Sequence, residues 1–231
     1  MTDPAWIRAL LGVHVAAGVT CFILAPVALA TAKGGKTHRR WGKVYFWAMA
    51  VVASTALVLA IWRPILFLAL IAIFSFYSAF RGYRVLGQKD RVRGGKVKPL
   101  DWIAAALTAL ASLALLLLGA FKPSLVSNLG IPAIFFGLLG LWIVSGEVRG
   151  YLRRPTEKMF WWYSHLQGMI GSYIAAWTAF SVVTIGPHIH HAWWIWVAPA
   201  SIGVPAIFAT TAYYRKKFAP RSAAAVSSRA I

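Results

Sequence analysis

The sequence has little cysteine and little acid, and each shortage excludes a class of chemistry. Its one cysteine, Cys21, rules out an intramolecular disulfide and a Cys-x-x-Cys redox site. Cys21 has no histidine within a helical turn, no Gly-x-Ser-x-Gly motif is present, and no aspartate falls within an apolar run. Nucleophilic catalysis therefore finds no support in the sequence.

Long polar segments are also lacking, because seven apolar runs occupy most of the chain. Hydrophobic residues make up 60% of the sequence, which excludes an ordinary soluble domain. Each run is close to the roughly 20 helical residues that cross a bilayer core. We predict an all-α, polytopic transmembrane bundle of seven helices, with spans at about 5–32, 44–62, 65–86, 102–121, 131–152, 161–185 and 194–214.

Basic residues are abundant, and they are concentrated in alternate gaps between the apolar runs. The sequence has 24 Lys and Arg against 5 Asp and Glu, and most of the basic residues lie in segments 33–43, 84–98 and 149–158 or after the last span. Cytoplasmic loops retain Lys and Arg, which predicts an N-terminus outside and a C-terminus inside. Charge spread over several loops argues against a nucleic-acid partner and favours anionic lipid headgroups at the cytoplasmic face.

Residues 1–218 are predicted to form one transmembrane domain, and the small, polar residues 219–231 a disordered cytoplasmic tail. The first run is too long for a signal peptide and carries Arg8 and His14, so we interpret it as a retained first helix. The longest connection, residues 87–101, is basic and contains glycine, which predicts a mobile cytoplasmic loop.

Small residues at close spacing predict one contact between helices. Gly146 and Gly150 are separated by three residues in the fifth span, while Gly168, Gly171 and Ser172 lie together in the sixth. Such residues allow two helix backbones to approach closely. We therefore predict that the fifth and sixth helices are packed neighbours.

Ionisable side chains inside an apolar span are costly, so each one is a candidate functional residue. Arg81 and Glu147 lie about five residues from the inner ends of their spans, and His165 lies only about 6 Å above the inner face. His38 precedes the second span at the same boundary. These four residues are expected in one layer of the inner leaflet, whereas His14 lies in the outer half.

Three interpretations of this layer are open. In the first it is a ligand-, proton- or cofactor-binding site, in which Arg81 holds an anionic group, Glu147 balances charge and the histidines ligate or shuttle protons. In the second, two histidines bind a b-type haem in a membrane oxidoreductase, and His38 with His165 is well matched in height. In the third, the protein is a non-catalytic subunit of a membrane complex, whose polar groups only fix helix packing.

Other cofactor arrangements are weaker. Pairing His14 with His165 as haem ligands would require a difference in height of about 10 Å, in a core of roughly 30 Å. Pairing His14 with the outer cluster at 188–191 would require that loop to dip inward. A metal site built from His38, His165 and Glu147 has a suitable donor set, but in seven-helix zinc hydrolases the last helix supplies histidines, and here it has none.

Two sets of motifs stand at the two ends of the chain: His14-x-x-x-Gly18 with Lys33-Gly-Gly-Lys-x-His38-Arg39-x-x-Gly42-Lys43, and His165-x-x-x-Met169-Ile-Gly171-Ser-Tyr173 with Trp196-x-x-Pro199. They resemble a family of bacterial membrane proteins catalogued as domain of unknown function 2306. The resemblance implies no reaction, but it points to His14, His38 and His165 as motif histidines. Together with the spans, it predicts a multi-pass protein of the bacterial cytoplasmic (inner) membrane.

Overall fold

The computed structural model describes residues 3–190 and 192–219, and within them the chain forms seven long α-helices and no strand. All seven helices are long and apolar enough to cross a membrane. The helices are α1 (Ala5–Ala30), α2 (Lys36–Trp62), α3 (Leu66–Arg84), α4 (Pro99–Phe121), α5 (Gly130–Leu152), α6 (Phe160–Thr184) and α7 (Trp194–Phe218). The predicted all-α bundle of seven helices is confirmed.

The helices differ from the predicted spans mainly at their ends. Helix α2 begins at Lys36 rather than at 44, because the basic residues before the apolar run continue the helix. Helix α7 likewise continues to Phe218 through Arg215, Lys216 and Lys217. Residues 220–231 of the predicted tail, and His191 of the outer cluster, lie outside the described residues.

The outer surface of the bundle is apolar. Ile61 on α2, Phe121 on α4, Val183 on α6 and Ile202 on α7 are each more than 70% exposed. A water-soluble domain does not expose contiguous apolar surface on this scale, whereas lipid tails solvate it at no cost. The chain is a multi-pass membrane protein.

Helix α3 is the central helix, packing against α2, α4 and α6, while α4 also pairs with α5 and α6 with α7. We call the end of the bundle at which α2, α4 and α6 begin the basic end. It carries most of the Lys and Arg residues, in segments 33–43, 84–98, 149–158 and 215–217. The other end carries the short α2–α3 connection at residues 63–65.

Helices α5 and α6 were predicted to be packed neighbours, but they make no major contact with each other. Helix α5 packs mainly on α4, and α6 packs mainly on α3 and α7. A Cβ added at Gly146 or Gly150 would meet nothing within 4 Å, so these glycines face open space. The close approach of α5 uses Gly137 instead, where a Cβ would lie 2.6 Å from the Leu116 nitrogen on α4. The prediction is wrong because small residues at close spacing mark a contact only on a face that is covered.

The connection between α3 and α4 is more ordered than predicted. It contains two 3-10 turns, Val85–Gly87 and Lys89–Arg93. Asp101, which is only 1% exposed, accepts hydrogen bonds from Arg84 Nε at 2.8 Å, Arg84 Nη2 at 3.0 Å and Gln88 Nε2 at 3.0 Å. A buried carboxylate must be satisfied in this way, and satisfying it ties the connection to the bundle.

Candidate functional site

His38 and His165 lie side by side at the basic end, His38 in the first turn of α2 and His165 in the second turn of α6. Their ring centroids are 6.2 Å apart, and the ring planes make an angle of 80°. His38 Nδ1 is 3.0 Å from the Ala28 carbonyl oxygen, and His165 Nδ1 is 2.8 Å from the Gly82 carbonyl oxygen. A carbonyl oxygen only accepts, so each Nδ1 carries a proton. In the neutral ring the lone pair is therefore on Nε2.

Local backbone geometry positions both rings. Ala28 lies in the last turn of α1, and Gly82 lies in the last turn of α3. The carbonyl groups in the last turn of a helix have no hydrogen-bond partner within that helix. Gly34, with a φ of 78°, turns the chain back so that α2 runs along α1 and His38 reaches Ala28. A Cβ added at Gly168 would lie 2.6 Å from the Gly82 Cα, so α6 approaches α3 closely enough for His165 to reach the Gly82 carbonyl.

Arg81 and Glu147 form the second predicted pair. Arg81 Nη1 donates to Glu147 Oε1 at 2.5 Å and links α3 to α5. The two side chains are only 11% and 20% exposed, so the ion pair is largely shielded from solvent. Arg81 Nε is buried and has no hydrogen-bond partner among the described residues. Pairing places an acidic group beside a basic one in a region where a lone charge would be costly.

The predicted layer therefore consists of two separate pairs, His38 with His165 and Arg81 with Glu147. Within residues 3–190 and 192–219, no hydrogen bond or ion pair joins one pair to the other. The pairs are nevertheless close along the chain, because Arg81 and Gly82 are consecutive residues of α3. Arg81 reaches α5 through its side chain, whereas Gly82 meets His165 through its main-chain carbonyl.

His14 belongs to neither pair. Its Nδ1 lies 2.9 Å from Thr55 Oγ1, and that hydroxyl donates to the Val51 carbonyl at 2.7 Å, so His14 Nδ1 is the donor. Ala28, the residue that His38 contacts, lies about 21 Å further along α1 than His14. One cofactor metal cannot reach both His14 and His38. His188 and His190 lie in the connection after α6, at the opposite end from the histidine pair.

The predicted site of two histidines and one carboxylate is not formed. Among the residues that the structure describes, no group of three or more His, Cys, Asp or Glu side chains could hold a metal ion. The physical reason is the ion pair: Glu147 is engaged by Arg81 and is not directed at His38 and His165.

Two features near the site were missed in the sequence. One is Asp101, which was placed outside the apolar run although it is buried in the first turn of α4. The other is the hydrogen bond of 2.8 Å between Tyr45 Oη and Ser172 Oγ, which joins α2 to α6. The positions of Tyr45 and Ser172 carried a signal in the sequence, because Tyr45 follows His38 and Ser172 follows His165 by seven residues, or about two helical turns.

Comparisons with protein-family models, curated proteins and solved structures found no match. The resemblance to domain of unknown function 2306 accordingly stays a prediction.

Proposed function

We propose that this multi-pass membrane protein carries electrons, and that His38 and His165 would hold a b-type haem at the basic end of the bundle. The observation that supports this is the arrangement of the rings. Both Nδ1 protons are already donated to main-chain carbonyls, which leaves two Nε2 lone pairs on neighbouring helices. Metal-binding histidines have this arrangement, with the second nitrogen donating to a carbonyl or carboxylate.

The spacing of the rings also fits this proposal. Two imidazoles on opposite sides of one metal, with metal–nitrogen bonds of about 2 Å, have centroids roughly 6 Å apart. The centroids of His38 and His165 are 6.2 Å apart. Bis-histidine ligation between facing helices is a common design for cofactors in helical bundles.

The proton count favours a shared ligand over a purely structural pair. Neither neutral ring has a proton left to donate to the other, so no hydrogen bond joins the two rings. An electrophile between them, either a metal centre or a proton, would turn this proximity into an attraction.

Helices α2 and α6 meet through side chains at the histidine pair and at the Tyr45–Ser172 hydrogen bond. The close backbone neighbours of α6 are α7, α3 and α1, whereas α2 reaches it through side chains. A bound haem would supply one-electron chemistry. The chain itself would fix the tautomers of the two ligands and set their positions through the Gly82–Gly168 contact.

An optical spectrum of the purified protein tests the proposal. Protein expressed with haem supplementation should show a Soret band, and the band should match about one haem per chain. A protein that stays colourless, although it is folded and monodisperse, would refute it. A Soret band that survives loss of both histidines would show that haem is bound elsewhere.

A second observation concerns lipid. Lys36, Arg39, Arg40 and Lys43 share one face of α2 and line an open groove of about 550 Å³, on the side away from His38. They form no salt bridge with an acidic residue in the described part of the chain. We propose that this groove binds anionic lipid headgroups, and that the basic end faces the cytoplasm of a bacterium.

A further inference from the structure

The α3–α4 and α5–α6 connections are fastened to each other at the basic end. Arg154 Nε, on the α5–α6 connection, donates to the Val92 carbonyl of the α3–α4 connection at 2.6 Å. Arg91 Nη2 donates to the Gly150 carbonyl in the last turn of α5. These bonds join two stretches of chain that are far apart in sequence into one surface. We call this surface the basic platform, and it comprises residues 85–98 and 153–159.

The exposed charge of the platform is strongly positive. Its exposed basic side chains include Lys89, Arg93, Lys96, Lys98, Arg153 and Lys158. The exposed acids on it are Asp90 and Glu157, and Glu157 is already paired with Arg215 at 3.4 Å. In the described part of the chain, none of these basic side chains forms a salt bridge. A negatively charged partner can therefore balance them.

The order of the platform favours a folded partner over lipid headgroups. Anionic headgroups attract a flexible basic segment as well as an ordered one, because that attraction depends on charge near the membrane surface. Here the backbone of the α3–α4 connection is held in one shape, by Arg91 at the Gly150 carbonyl and by Asp101 at Arg84 and Gln88. A preordered surface loses less entropy when a protein binds to it.

The platform lies over the part of the bundle that contains the histidine pair. Lys89 Nζ is 4.1 Å from the centroid of the Trp161 ring. Trp161 precedes His165 by four residues, or about 6 Å along α6. The turn Val85–Gly87 also contacts α6, and it begins three residues after Gly82, whose carbonyl oxygen contacts His165. A protein bound to the platform is therefore close to His165.

We propose that the basic platform docks a small acidic soluble protein, and that this protein exchanges electrons with the site at His38 and His165. The electron exchange rests on the proposed function, whereas the docking depends only on the platform. Complementary charge steers such partners together, and electron-transfer complexes bury small interfaces of less than about 1,200 Å². The attraction weakens with added salt, because ions screen exposed charges.

Binding of a plant-type [2Fe–2S] ferredoxin, an acidic soluble electron carrier, tests the platform. The full-length protein is held in phosphatidylcholine nanodiscs, and affinity is measured by biolayer interferometry in about 50 mM and about 300 mM NaCl. Affinity should fall at least about tenfold at the higher salt concentration, and cytochrome c, a basic carrier, should not bind. Absence of ferredoxin binding at the lower salt concentration, or binding that does not depend on salt, would overturn the proposal.

Paired variants locate the binding surface. Lys96→Glu with Lys158→Glu reverses one exposed charge on each connection, and should weaken ferredoxin binding at least about tenfold. Lys36→Glu with Lys43→Glu makes the same change of charge on α2, at the same end of the bundle, and should weaken binding less than about threefold. Equal weakening by both pairs would refute the platform as the docking site. If the reversed platform variant does not fold, Lys96→Gln with Lys158→Gln should weaken binding about threefold.

The docking and the haem can fail separately. His38→Ala should bind ferredoxin as tightly as the wild type does, because His38 lies outside the platform. A colourless protein that still docks would refute the haem and the electron exchange but support the docking, whereas a haem-loaded protein that does not dock would refute the platform alone. In haem-loaded protein, reduced ferredoxin should reduce the wild type at least about tenfold faster than the Lys96 and Lys158 variant, and equal rates would remove the electron exchange.

Lipid is the alternative occupant of the platform. Native mass spectrometry of the Lys96→Glu and Lys158→Glu variant, from nanodiscs with about 30% phosphatidylglycerol, counts the anionic lipids that it retains. The count should match that of the wild type. Loss of phosphatidylglycerol without loss of ferredoxin binding would assign the platform to lipid headgroups and overturn the proposal.

Discussion

Tyr45 Oη lies 2.8 Å from Ser172 Oγ, and these two residues follow His38 and His165 by seven positions each. Seven residues are about two helical turns, so each hydrogen-bonding residue lies on the same face of its helix as a histidine. Side chains at two levels therefore hold α2 and α6 together. The deeper level is a buried hydrogen bond, and the level at the basic end is the histidine pair.

Removal of the deeper link should loosen the whole seam. Ser172 Oγ donates to the Met169 carbonyl at 2.8 Å, so Tyr45 is the donor in the bond between them. Tyr45→Phe should lower the free energy of unfolding by about 1 kcal/mol, measured by thermal or SDS denaturation in detergent. Tyr213→Phe, on an exposed tyrosine, is the matched control. Equal stability of both variants would mean that the seam does not depend on this bond.

The contact between Gly82 and Gly168 should tolerate no side chain. A Cβ at Gly168 would lie 2.6 Å from the Gly82 Cα, which is backbone and cannot move aside. Gly168→Ala should therefore destabilise the protein by about 1–3 kcal/mol and displace His165 from the Gly82 carbonyl.

Gly146→Ala provides the control for that prediction, since its Cβ would meet nothing within 4 Å. It should leave stability unchanged, or raise it by up to about 1 kcal/mol through helix propensity. If Gly146→Ala were the more damaging of the two, Gly146 would face a close partner and the packing described for α5 would be incorrect.

Asp101 should control the order of the α3–α4 connection. Asp101→Asn removes the charge that Arg84 and Gln88 share, and should cost about 3 kcal/mol. Trypsin should then cut faster at Lys89 and Arg93, which can be followed by electrophoresis. Asp90→Asn changes an exposed residue of the same connection, and trypsin should cleave this control variant at the wild-type rate. Fast cutting of the wild-type protein would instead support the mobile loop expected from composition.

Much of the fold follows from hydropathy, because the cost of exposing peptide groups to lipid forces each long apolar run into a helix. The level of His38 and His165 could also be predicted, since the rise per residue converts position into depth. The rotation of each helix about its own axis could not be predicted, because all seven helices are apolar on most faces. That is why Gly146 and Gly150 suggested a contact that does not exist, and why Arg81 and Glu147 were grouped with the histidines.

The basic groove on α2 gives a prediction about lipid. Each Lys or Arg near an anionic surface contributes about 1 kcal/mol, so Arg39→Gln with Lys43→Gln should weaken anionic lipid binding roughly 30-fold. Native mass spectrometry of protein from nanodiscs with 30% phosphatidylglycerol counts the retained anionic lipids. Arg8→Gln with Lys122→Gln, at the opposite end, is the charge-matched control. Equal loss in both double variants would remove the groove as a specific site.

The most direct test of the histidine pair is the Soret absorbance of four proteins purified in parallel from haem-supplemented membranes: wild type, His14→Ala, His38→Ala and His165→Ala. The first two should carry about one haem per chain, because His14 only bonds to Thr55. His38→Ala and His165→Ala should each lose the band, or shift to a weakly bound five-coordinate spectrum, while remaining folded. Identical spectra for all four proteins, with or without haem, would contradict the proposal that His38 and His165 hold the cofactor.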